Sequence, residues 1–201
     1  PEQLLSELRK SLRDACDDGK LRTRPHEIWK LLRISPPTKG EVEIMGGEIP
    51  YQPWAAARQK QQESDYERPT RPEHIDTQHR CLLSGIPRLY TIVPSFRIIQ
   101  IPGSVIFVWD EYHAYRVIPL DGRPHIASNV KLWMGDARGH WEGNTLVVDT
   151  TNMRGARLTY IGDFYSENAQ VTEKMTFVDA DNMTYEATVN DPTVFTRPWT
   201  F

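Results

Sequence analysis

The sequence predicts a mainly β protein of the α+β kind: a curved antiparallel meander or lipocalin-like β-barrel, with N-terminal helices covering one end. Three observations predict it. From residue 88 onward, short runs rich in β-branched and aromatic residues recur. Tight-turn signals, Gly143-Asn144 above all, separate those runs. The first 80 residues carry helical spacing and proline punctuation instead. Strands joined in sequence by tight turns must hide their edges and bury one face, and curling does both. A barrel of lipocalin size leaves room for one small ligand.

Residues 3–17 read as an amphipathic helix, with Leu4, Leu5, Leu8 and Leu12 on one stripe and charges opposite. Asp17, Asp18 and Gly19 end it. A second helix is expected from Pro25, turning Ile28, Leu31 and Leu32 inward, until Pro36 and Pro37 stop it. Residues 38–48 read as a short strand with a Gly46-Gly47 turn. Pro53 opens a third helix through Trp54, the alanines 55–57 and the polar segment 58–65. Residues 67–80, charged and broken by Pro69 and Pro72, read as an extended, exposed connection. The meander follows: a strand at 96–101, then a long β run over 105–120 with a bend near its middle. Asp121-Gly122-Arg123-Pro124 is a turn. Hairpins are expected at 139–142 with 145–151 and at 171–178 with 183–190, and residues 197–201 close the sheet. Residues 1–80 thus form a wrap around a β unit at 88–201, in a single domain.

Composition bounds the function. The chain has 201 residues, 39% hydrophobic and 25% charged, enough for one globular core. A net charge of −3 argues against gripping nucleic acid, which needs clustered positive charge. No apolar run is long enough to span a membrane. The compartment is left open: cytoplasmic, or periplasmic or secreted if a signal peptide was removed before Pro1. Cys16 and Cys81 show no CxxC spacing. They either form one disulfide in an exported protein or stay as two unpaired thiols.

The stretch from Trp109 to Arg116 concentrates ionisable and aromatic residues in a β run. Alternation puts Trp109, Glu111, His113 and Tyr115 on one face and Asp110, Tyr112 and Arg116 on the other. With the first face inward, Glu111 and His113 form an acid–base pair walled by Trp109 and Tyr115. With the second inward, Tyr112 donates a proton and Arg116 holds developing negative charge beside Asp110. The competing reading is a solvated face whose carboxylates pair with arginines.

Trp133 and Trp141 are candidate walls of a substrate cavity. Glu142 and Asn144 read as turn residues. Asp149 is either a site carboxylate or a cap for the following loop. No metal site is expected. The histidines lack metal spacing, and only an assembly of distant strands, from His79, His113, His125 and Asp110, could make one. No GxSxG and no glycine-rich phosphate loop occurs, so no cofactor is expected.

Several segments form a specific combination: Pro53-Trp54 with the three alanines, Cys81 with Gly85-Ile86-Pro87-Arg88, and Glu111 with Arg116. IPLDGR at 118–123, RGHWEGNTLVVDTTN at 138–152, Asp191-Pro192 and TRPWT at 196–200 complete it. On these, about three-quarters of the chain resembles a family of uncharacterised bacterial proteins, many of them predicted to be exported. The family's prevalence in organisms that degrade or modify hydrophobic compounds implies a small-molecule role. Two positions depart from the family pattern. Asn144 stands where Asp is usual, and Gln170 stands where His is frequent, so a histidine-dependent step at that point would be lost here.

The residues therefore support a cofactor-independent enzyme of the lyase, isomerase or cyclase type, acting by acid–base chemistry on a hydrophobic or aromatic small molecule. They also support a non-catalytic carrier of such a molecule. A third role, docking of the 3–17 leucine stripe on a partner or on a second copy in a homodimer, stays open beside internal packing.

Overall fold

The computed structural model describes residues 32–34 (as backbone), 44–45, 47–92, 95–110, 114–159, 162–179 and 182–201. Two antiparallel sheets face each other. The first has the order β1 (Leu32–Ile34), β2 (Phe96–Ile101), β3 (Ser104–Trp109), β4 (Tyr115–Pro119). The second runs β11 (Trp199–Thr200), β10 (Met183–Asn190), β9 (Gln170–Phe177), β6 (Thr145–Thr151), β5 (Asp136–Glu142). A small ribbon pairs β7 (Ala156–Arg157) with β8 (Phe164–Tyr165). Among the described residues there are two α-helices, α1 (Pro53–Glu67) and the short α2 (Arg88–Ile92).

Each strand follows from its own residues. β3 alternates strictly, with Val105, Phe107 and Trp109 inward. β2 turns Phe96 and Ile98 the same way. The hairpin β5–β6 turns at Gly143, whose φ of 62° suits a residue without a Cβ. β9 and β10 pair in full register from Gln170↔Asn190 to Phe177↔Met183. The inner faces share one core, in which Phe107, Ile118, Leu146, Val148 and Met175 are fully buried. Each such side chain contributes about 1.5–3 kcal/mol of burial.

The two sheets meet along β4 and β5 without sharing a ladder. Gly139 makes that approach possible: a Cβ there would sit 2.6 Å from Ile118 Cγ2. A second core lies under α1, where Ala55 packs with Phe164, Phe195 and Trp199.

Three expectations are corrected. Residues 105–120 are a hairpin of two strands, not one bent run, because the chain reverses after Trp109. Leu32–Ile34 is an edge strand against β2, where a helix was expected; the residues that approach Pro36-Pro37 favour extended backbone. The 67–80 connection contains two 3₁₀ turns and a fully buried Asp76, rather than being extended and exposed throughout. The β7–β8 ribbon was not expected at all. The 3–17 helix, most of the second helix and most of the 38–48 strand lie outside the described residues.

Candidate functional site

Two polar assemblies interrupt the apolar interior. The first joins the sheets. Arg116 sits on β4 opposite Phe107, and Glu173 sits on β9 between Val148 and Ala187. The guanidinium grips the carboxylate with two bonds, Nη1 to Oε1 at 2.9 Å and Nη2 to Oε2 at 2.5 Å. It also donates to the Thr150 hydroxyl at 2.6 Å and to the Tyr90 hydroxyl at 2.9 Å. Tyr185 donates to Glu173 Oε1 at 3.0 Å, and Thr150 donates to Oε2 at 3.2 Å. Arg116 is 4% exposed and Glu173 not at all.

Aromatic rings enclose this cluster. Tyr90, on α2, packs against Tyr185, Trp109, Phe107 and Phe96 at 4.8, 5.1, 5.4 and 5.7 Å between ring centres. Burial first, then Glu173, pushes the Tyr90 and Tyr185 hydroxyls above their ordinary pKa, while Arg116 pulls Tyr90 back in part. For Arg116, burial disfavours the charge, but Glu173 and then Tyr90 outweigh it and keep the guanidinium charged. The Tyr90 oxygen accepts a hydrogen bond from Arg116. Among the described residues, its own proton has no acceptor.

The second assembly is a cavity of about 260 Å³ on the other flank of α2. Arg88, Thr91 and Ile92, spaced for one helix face, line it together with Leu158, Asp163 and Trp199. Asp163, only 9% exposed, accepts hydrogen bonds from Tyr51 (2.9 Å) and Thr159 (2.7 Å). Arg88 is locked in a buried two-bond pair with Asp76, at 2.9 and 3.0 Å. Gly162 sets the Asp163 loop against α1. Its φ is 103°, and a Cβ there would lie 2.8 Å from Gln62 Cβ.

The sequence candidates fall in different places. Trp109 is 2% exposed and Arg116 is buried beside it, although alternation assigned them to opposite faces. Tyr115, expected on the face of Trp109, is 67% exposed. The hairpin explains both: strand parity does not carry across a reversal of the chain. Asp110 is exposed and accepts a bond from Ser95 Oγ at 2.6 Å. Glu111, Tyr112 and His113 lie outside the described residues.

Trp133 is half-buried beneath the Arg154 guanidinium at 5.0 Å, and Trp141 is half-buried against Phe177. Glu142 ends β5 exposed, beside His140. Asn144, in the turn, donates to the Phe177 carbonyl at 2.7 Å. Asp149 is an exposed mid-strand residue accepting from Thr172 at 2.8 Å, so it caps no loop. Cys81 is a free, exposed thiol, and Cys16 lies outside the described residues. Among the described residues, no group of three His, Cys, Asp or Glu side chains could hold a metal, and no helix is long and apolar enough to cross a membrane.

Sequence reading missed Glu173, Tyr90, Tyr185, Thr150 and Asp163. Glu173 did leave a signal: it occupies the buried phase of β9, between Val171 and Met175, where a charge needs a buried partner. Asp163 left none, being one acidic residue in a loop.

Neither family models, curated proteins nor solved structures give a match to this chain.

Proposed function

We propose that this protein is a cofactor-independent enzyme, of the lyase, isomerase or cyclase type, that moves protons on a hydrophobic or aromatic small molecule held in a lipocalin-like β scaffold. One observation carries the reading: a half-buried tyrosine packed against the core, Tyr90, whose oxygen is held by Arg116 and whose proton is uncommitted among the described residues. A hydroxyl so placed gives its proton to negative charge developing on the substrate. The guanidinium then holds the phenolate left behind. Tyr185 and Thr150 orient Glu173, which in turn fixes Arg116. The proton acceptor in this scheme comes from Glu111 or His113, close in sequence to the buried Trp109. The aromatic rings around Tyr90 suit an apolar substrate. The family resemblance points the same way.

The test is turnover, followed by mass spectrometry, over a panel of monocyclic aromatic and terpenoid compounds. Tyr90→Phe is expected to lower turnover by about 10²-fold or more, the usual size of an acid–base contribution, with circular dichroism unchanged. Full activity in Tyr90→Phe sinks the acid role. A protein that binds panel members, seen by tryptophan fluorescence, and returns all of them unchanged is a carrier instead.

A further inference from the structure

We propose that the cavity beside α2 is a binding site for a small hydrophobic amine, with the ligand's ammonium group paired to Asp163. This stands apart from the Tyr90 chemistry, because α2 separates the two places: Arg88, Thr91 and Ile92 face the cavity, whereas Tyr90 faces the cluster.

Apolar groups, among them Ile44, Ile49, Leu158 and Phe201, make up most of the lining. Asp163 is the carboxylate that faces it, nine-tenths buried. Its hydrogen bonds come from two neutral hydroxyls, Tyr51 and Thr159. Among the described residues no basic side chain makes an ion pair with it, and none supplies a counter-ion. Buried charges are ordinarily paired.

The nearby cations are otherwise engaged. Arg88 reaches the cavity but is neutralised by its two bonds to the fully buried Asp76. Arg157, next to Leu158 in sequence, donates toward the Glu73 and His74 carbonyls at 3.3–3.5 Å. Arg58 lies over the Phe164 ring at 4.9 Å. With Arg88 cancelled by Asp76 behind the wall, Asp163 is the charge of the lining that no described side chain balances.

A carboxylate has about four acceptor positions, and two are filled here. The others suit an ammonium group. Trp199 and Phe201 add ring faces, which attract a cation as well as an apolar body. The volume, about 260 Å³, lies just under the usual range of roughly 300–1,000 Å³ for ligand pockets, so a one-ring or short-chain amine fits best.

Three probes of similar size test this by calorimetry on the full chain: phenethylamine, phenethyl alcohol and phenylacetate. The expected order is amine tightest, alcohol at least about tenfold weaker, and carboxylate without measurable binding. Asp163→Asn is expected to erase the preference for the amine while keeping the alcohol's affinity. Ile92→Trp, which adds bulk to the cavity from α2, is expected to abolish binding of all three. Equal affinity for amine and alcohol, failure of the amine to bind, or an unchanged amine preference in Asp163→Asn overturns the proposal. Should Asp163→Asn fail to fold, the wild-type series and Ile92→Trp decide it alone. Because Tyr90→Phe leaves this cavity intact, loss of the turnover proposal would leave the amine result standing.

Discussion

Arg116 is placed where a charge is costly, and its neighbours offset the cost. Two bonds to Glu173 and one each to Thr150 and Tyr90 replace the water it loses. Removing one partner leaves the other charge buried and unpaired, which costs about 3–5 kcal/mol. Arg116→Met is therefore expected to lower unfolding free energy by that much in urea titrations. The double variant Arg116→Met with Glu173→Leu is expected to recover most of the loss, since no charge is left stranded. A double variant no more stable than the single would show that the pair itself, rather than its burial, supplies the stability.

At the scale of elements, the connection between β4 and β5 shows how polar groups order a long loop. Asp136 opens β5 and accepts from the Ile126 N–H at 3.0 Å, from Arg138 at 2.7 Å, and pairs with His125 at 2.9 Å. Asn152 holds the same loop from below, donating to the Ala127 and Val130 carbonyls at 2.8 and 2.9 Å. Partial burial pushes the Asp136 pKa up. The Ile126 amide, Arg138 and His125 outweigh that and hold it below the ordinary carboxylate value.

The sign of the pH effect follows. A depressed native pKa adds stability above the unfolded value, near 3.9, and that stability is lost as pH falls through the native pKa. Asp136→Asn is expected to be less stable than wild type at neutral pH, with the gap closing below about pH 4. Parallel stability curves across acid pH would refute the assignment.

At the scale of the whole molecule, four of the described tyrosines, the buried Tyr165 and the half-buried Tyr51, Tyr90 and Tyr185, have hydroxyls pushed well above their ordinary pKa. Burial is the largest cause for each, aided by Asp163 at Tyr51 and by Glu173 at the other three. Folding thus favours their protonated forms. That stability is fully present below the unfolded pKa, about 10, and drains away as pH rises beyond it. Ultraviolet titration of phenolate is expected to show these four ionising together with alkaline unfolding. A smooth titration of all eight tyrosines near pH 10, with the fold intact, would contradict this burial.

The sequence by itself determined what depends on near neighbours. Alternation fixed the strands at 96–101, 145–151 and 183–190, and Gly143-Asn144 fixed a hairpin turn. Pro53 fixed the start of α1. Only the tertiary structure decided where charge meets charge. Arg116 and Glu173 are 57 positions apart on different sheets, and Tyr51 and Asp163 are 112 apart. It also decided which way Trp109, Tyr115 and Arg116 face, since a reversal of the chain resets strand parity. The physical reason is that turn and strand preferences act over a few residues, whereas pairing of buried polar groups is set by which surfaces the folded layers bring together.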